Sequence, residues 1–386
     1  MLTALRDEAR GGAGKHEPAF LLRPDQHEGR LLAAHAGEVG AVVLLGRHLA
    51  PYREGSPEQA QGLRGDELAQ TVRAAGIEWV LDPDTAVLPY MTGDGLDTAF
   101  GRAALMRCAQ GFTLPLVPEQ LEQDADLREM LVALLAGESQ AAVPTPAYFG
   151  FRSLTDPWLS VNLRAARMTQ SLTRGGPLGV FVQTDVAALR EGVLAKAAPL
   201  YAEALEPRGL AFLQVAGLDV ERAEREDLAA YLRAVAVWVA HGFNIIADRV
   251  GRFGLAAVAA GSSGMACGTR FYRSVRDLEL EPQYHRSPSV RYWVPGRGDR
   301  LGVEDARHRF RRGSLPPCPV QDCGALLAGA TIADLRLHNI HLTAAELELA
   351  SSDAAGLAKQ LASSPIAYVR VWGDALQDAL RLSAQA

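Results

Sequence analysis

Cys318 and Cys323 are separated by four residues in a Pro-rich loop, and His338 and His341 follow one helical turn apart. Two thiolates and imidazole nitrogen at such spacings suit tetrahedral zinc, so these four residues are candidate metal ligands. The competing reading is two unligated cysteines beside ordinary surface histidines.

A second set stands at the ends of short apolar runs: Asp82 and Asp84, Gln183 and Asp185, Gln214, and Asp248 with Arg249. In a parallel barrel such ends converge on one shared mouth. There Asp82, Asp84 and Asp248 are candidate catalytic carboxylates, able to act as a general base. Gln183, Asp185, Gln214 and Arg249 could bind the hydrogen-bonding edge of a polar heterocycle. Asp185 directly precedes a helical stretch, so helix capping is its alternative role. Within Leu81-Asp82-Pro83-Asp84 the proline argues for a shaped loop.

A third set is basic. Eleven arginines and no lysine fall between Arg270 and Arg312, interleaved with Tyr272, Tyr284, Tyr292, Trp293 and Phe310. Arg270, Arg307, Arg309, Arg311 and Arg312 are candidate contacts to nucleic acid, tRNA or DNA, because cations track phosphates while aromatic rings stack on bases. A solvated face, or a homo- or hetero-oligomer interface, is the alternative.

Eight β-favouring runs can position these residues: Ala19–Leu22, Ala41–Leu45, Ile77–Leu81, Ala147–Phe151, Val180–Gln183, Ala211–Val215, Asn244–Ala247 and Gly264–Cys267. Helical patterning is clearest in Asp185–Ala204, Glu221–Ala240 and Phe253–Ala260. Apolar strand cores alternating with amphipathic helices predict an α/β fold, a (β/α)8 TIM barrel. The barrel is expected over residues 1–268, with a helical insertion at about 85–143. Residues 269–386 form a C-terminal attachment, arginine-rich and carrying the cysteines and histidines. An open doubly wound sheet would call for a Gly-rich turn after the first strand, and none is there.

The net charge of −6 excludes a uniformly basic coat, which makes the local arginine cluster the relevant feature. Four cysteines are too few for a disulfide scaffold and fit a reducing compartment. No leader-like start and no apolar run of about 18 residues are present, so a cytoplasmic protein without membrane contact is expected.

The order of features across roughly Ala147–Ala350 resembles the tRNA-guanine transglycosylase superfamily, zinc-containing (β/α)8 enzymes that exchange a guanine in nucleic acid for a 7-deazaguanine, as in queuosine formation. Gly179 to Asp185 followed by Leu189-Arg190 is similar to that family's strand ending in VQGG and the LR after it. Val215-Ala216-Gly217-Leu218 is similar to its GGL, and Gly261 through Arg270 to its GVDMFDCVxPTR. Cys318 and Cys323 match the first and third cysteines of its CxCxxC. Leu337-His338-Asn339 matches its LHN, which supplies the zinc-binding histidine, and Asp82 falls where its general base follows strand three.

The departures are chemical. Ala266 stands where the resemblance places the nucleophilic aspartate, and a methyl group cannot attack an anomeric carbon. Val320 stands for the middle zinc cysteine, so a four-ligand site needs a substitute such as His341. The resemblance therefore implies a divergent, transglycosylase-like pseudoenzyme. It would bind nucleic acid or a 7-deazaguanine-type nucleobase without the covalent glycosyltransferase route, unless Asp248 or Asp185 replaces the nucleophile. The alternatives are an unrelated barrel enzyme that holds a phosphate near Gly264 and Gly268, and a non-catalytic scaffold subunit.

Overall fold

In a computed structural model, residues 17–24, 31–32, 39–45, 65–90, 111–137, 141–206, 208–268, 290–296, 300–319, 323, 325–326 and 330–384 are described. Seven strands form one parallel sheet: β1 (Ala19–Leu22), β2 (Ala41–Leu45), β3 (Trp79–Asp82), β4 (Gly179–Asp185), β5 (Leu210–Ala216), β6 (Asn244–Asp248) and β7 (Gly264–Cys267). Their spatial order is β3-β2-β1-β7-β6-β5-β4. The sheet curls into a half-barrel. Val80 on one edge strand and Phe181 on the other join Leu21, Val43, Phe212, Ile246 and Ala266 in one small inner cluster. The alternate residues Leu22, Val42, Leu81, Val182, Leu213 and Ala247 belong to the larger outer cluster beneath the helices. Burial on both faces explains why the strands read as continuous apolar runs rather than alternating ones.

The fourth of the eight expected strands, Ala147–Phe151, is not one, so a complete eight-stranded barrel is not formed among the described residues. The chain there lies between the two edge strands without making a ladder. Ala142 N–H donates to the Trp79 carbonyl, Gly179 N–H to that of Pro144, and Phe151 N–H to that of Gln183. A single bridge links Val80 and Val143. Pro144 and Pro146 have no N–H to give. The Tyr148 and Phe149 N–H groups go to side chains, Thr85 Oγ1 and Asn162 Oδ1. Too few donors remain for a strand.

Helices α1 (Gly65–Ala74), α2 (Asp124–Gly137), α3 (Pro157–Leu172), α4 (Val186–Arg190), α5 (Val193–Ala204), α6 (Arg225–Ala240) and α7 (Gly254–Ala259) fill the connections. The helix expected over Asp185–Ala204 is split in two at Gly192, whose φ of 74° continues no helix. The expected helical insertion is partly described: short 3-10 turns at Thr85–Tyr90 and Pro118–Leu121 precede α2, which packs on α3 in a separate core.

Beyond the sheet come a two-stranded ribbon, β8 (Tyr292–Trp293) with β9 (Arg300–Leu301), then α8 (Val303–Arg311), α9 (Ile332–Ser352), α10 (Ala354–Ala362) and α11 (Ala367–Ser383). The last three helices return to the sheet domain, and their Leu347, Leu357, Val369 and Trp372 enter the same apolar cluster as the outer strand faces. Trp372 Nε1 donates to the Val220 carbonyl at 2.7 Å, and Arg225 forks onto Asp378. Buried Arg252 pairs with Glu346 and lies 4.5 Å over the Trp293 ring. The ribbon and α8 keep a small core of their own around Val294, Ala306 and Leu335. Among the described residues, no helix is long and apolar enough to cross a membrane.

Candidate functional site

Because Leu21, Val80, Phe181, Phe212 and Ile246 face inward, the residues two positions on do so as well. This brings Arg23, Asp82, Gln183, Gln214 and Asp248 to the C-terminal mouth of the curled sheet. Asp82 Oδ1 accepts from the Tyr148 hydroxyl at 2.8 Å and from the Asp84 N–H at 2.9 Å. Its Oδ2 faces Arg23 Nη1 at 2.9 Å and Arg249 Nη2 at 2.8 Å. Asp248 Oδ1 accepts from Arg23 Nε at 2.6 Å, while its Oδ2 accepts from Arg23 Nη2 and, at 2.7 Å, from Gln214 Nε2. Both carboxylates are fully buried, and each of their oxygens is already bonded.

Burial alone would push the Asp82 carboxyl up, but Arg23 and Arg249 outweigh it and hold Asp82 below its ordinary value. The Tyr148 hydroxyl is pushed well up by burial, then by Asp82 and Asp84. Asp84 and Arg249 flank the network with φ of 55° and 59°, in the left-handed region that side chains seldom occupy. Ala266 lies on the inner face of β7, in register with Asp248 and Leu21.

Sequence reading had singled out Asp82, Asp84, Asp248, Gln214 and Arg249, and the structure gathers all five. It missed Arg23 and Tyr148. Arg23 was findable, since extending the period-two alternation of β1 by one step points it inward. Tyr148 was not, because its segment read as a strand.

At the C-terminal end of β4 a cleft of about 200 Å3 is lined by Tyr90, Phe151, Arg152, Trp158, Thr184 and Asp185, among others. Asp185 caps α4 through the Ala188 N–H at 2.8 Å and pairs with Arg152 at 2.9 Å, so its capping role is present. Thr184 Oγ1, Gln183 Nε2 and Gln214 Oε1 are buried with no hydrogen-bond partner among the described residues. Gln183 and Gln214 are register neighbours on β4 and β5. Gly264 is no phosphate loop. It lies inside β7, where a side chain would strike the Ala19 carbonyl.

The cysteine–histidine group is assembled. The ligand atoms of Cys318, Cys323 and His338 lie within 4.8 Å of one another. His338 Nδ1 is 3.3 Å from Cys318 Sγ and 3.1 Å from Cys323 Sγ. Its Nε2 is 2.9 Å from the Trp293 carbonyl, a contact that orients the ring and leaves Nδ1 facing the sulfurs. Tyr292 stacks on the imidazole at 4.3 Å. The hydrogen bond from Cys318, followed by that from His338, outweighs burial and brings the Cys323 thiol down to about 4. Two sulfurs and one nitrogen fit zinc. His341 is not in this group, and Val320 lies outside the described residues.

Of the candidate nucleic-acid arginines, Arg270 lies outside the described residues. Arg307 pairs with Glu304 and the Ala330 carbonyl, and Arg309 with Asp305, so both are partly engaged along α8. Arg311 and Arg312 are exposed at its C-terminal end beside the half-exposed ring of Phe310.

No family model matches the chain, and neither a curated protein nor a solved structure matches it.

Proposed function

We propose that this chain is a divergent, transglycosylase-like barrel protein that binds nucleic acid and a nucleobase-type heterocycle without exchanging bases covalently. The observation that carries this reading is the state of the mouth: every oxygen of Asp82 and Asp248 is committed to a donor, and Ala266 supplies no nucleophile. A carboxylate already bonded at both oxygens is a poor base and a poor nucleophile. The cleft at the end of β4 keeps what binding requires, namely aromatic walls, an arginine–carboxylate pair and, in Thr184, a buried hydroxyl with spare hydrogen-bonding capacity.

In this reading the segment 142–151 is the eighth stave of an ancestral (β/α)8 barrel, bent out of strand geometry by its prolines. Zinc on Cys318, Cys323 and His338 would tie the 318–323 loop to α9 and so hold α8 in place. The end of α8 then meets phosphates through Arg311 and Arg312, with Phe310 available for stacking. The protein would act in the cytoplasm, alone or as one subunit of an assembly.

An exchange assay tests the catalytic half. Labelled guanine or 7-deazaguanine is incubated with the protein and tRNA, and incorporation is counted. No incorporation above a protein-free control is expected, and time-dependent incorporation overturns the reading.

A further inference from the structure

The Arg23 guanidinium sits among the groups that a receptor for a planar cation would use. Asp248 accepts two of its N–H groups in a fork, from Nε at 2.6 Å and from Nη2. The remaining nitrogen, Nη1, lies 2.9 Å from Asp82 Oδ2, an ion-pair contact without hydrogen-bond geometry. The carbon of the guanidinium lies 5.8 Å from the centre of the Phe181 ring, which itself stacks on Phe212 at 4.4 Å and Tyr148 at 5.2 Å. A forked carboxylate, a second carboxylate and an aromatic face are the three elements that recognise a planar guanidinium. Gln214 and Tyr148 fix the two carboxylates from behind.

We propose that the mouth of the sheet is a guanidinium site, built by Asp82, Asp248 and Phe181 and occupied in cis by the side chain of Arg23. The site takes small planar guanidinium or amidinium cations, and Arg23 competes with any such ligand from within the same chain. Charge accounts for the occupancy. The two fully buried carboxylates, Asp82 and Asp248, are matched by Arg23 and by Arg249, which also reaches the partly exposed Asp84 at 3.8 Å, so withdrawal of Arg23 leaves an enclosed negative charge without a partner. A ligand of the same shape and charge restores the balance. The inference is independent of nucleic-acid or nucleobase binding, because it concerns only the groups around Arg23.

Chemical rescue tests it. Full-length Arg23→Ala is melted with increasing millimolar methylguanidinium chloride, and with potassium chloride at matched ionic strength. The variant should melt below wild type, and methylguanidinium should raise its midpoint saturably by at least about 2 °C over the salt control. Wild type, whose site is filled, and Arg23→Ala/Asp248→Asn, which lacks the fork, should show no such rise. A response in Arg23→Ala no larger than in either of these overturns the proposal. If Arg23→Ala yields no folded protein, dilution from urea with and without methylguanidinium decides the matter. Folding only in its presence supports the site, and equal failure in both refutes it.

Discussion

Arg23 and Asp248 lie 225 residues apart in the chain, yet Arg23 Nε stands 2.6 Å from Asp248 Oδ1 at the mouth of the curled sheet. The pairing is possible because β1 and β6 both flank β7, the strand that carries Ala266. Two inward-facing residues thus meet across a strand whose own inner side chain at that level is only a methyl group. An aspartate at 266 would add a third carboxylate beside a pair already balanced by two arginines.

Arg23→Ala should therefore destabilise the fold by about 3–5 kcal/mol, the usual loss when one partner of a buried ion pair is removed. Urea unfolding of the variant against wild type measures it. Arg23→Ala/Asp248→Asn should recover part of the loss, since the second change removes the stranded charge. A loss under about 1 kcal/mol would mean that Asp82 and Asp248 remain solvated, contrary to their burial.

The Asp82 carboxyl is held below its ordinary value in the folded state, so its contribution to stability has a defined direction in pH. A depressed folded value means the contribution is complete above the unfolded value of about 3.9 and is lost as pH falls through the folded value. Asp82→Asn removes the titrating group. The stability gap between wild type and Asp82→Asn should be constant from neutral pH to about 5 and narrow at lower pH. A gap that widens on acidification contradicts the assignment.

Metal content separates the two histidines. Protein expressed with zinc and dialysed should carry about one equivalent. Cys318→Ser and His338→Ala should lose it, whereas His341→Ala should retain it, because His341 lies outside the group formed by Cys318, Cys323 and His338. Elemental analysis of the four proteins reads the outcome directly.

Trp372 couples the C-terminal helices to the sheet domain through its indole bond to the Val220 carbonyl and its packing near Phe253 at 6.0 Å. Trp372→Ala should cost about 3–5 kcal/mol, as for other large-to-small changes in a core. It should also speed amide exchange in α6 and α11 together. Exchange rising in α11 alone would show that the tail does not brace the sheet domain.

Much of this was legible from residue order. The seven strands that formed have apolar cores and lie within two residues of the expected runs, since burial on both faces leaves a continuous signal. Asp82, Gln214 and Asp248 were legible as strand-end residues, and Cys318, Cys323 and His338 as a ligand set. Ala147–Phe151 misled for a specific reason: its side chains are those of a buried strand, but the N–H groups of Tyr148 and Phe149 go to the side chains of Thr85 and Asn162, and Pro144 and Pro146 just ahead of it have no N–H to pair. Arg23 was legible only as an inward-pointing residue one step past β1, and its partners were not. Only the curvature of the sheet turns it onto two carboxylates from other strands. Helical spacing alone pointed to His341, and it carries no information about which turn of α9 Cys318 and Cys323 approach.

The salt dependence of nucleic-acid binding bears most directly on the account. Mobility shifts of the full-length protein with tRNA and with duplex DNA should show affinity falling steeply as salt rises. Arg311→Ala/Arg312→Ala should flatten the slope of log affinity against log salt by about 2 on duplex DNA, or somewhat less on single strands, if both side chains meet phosphates. Absence of salt-dependent binding to either nucleic acid contradicts the account.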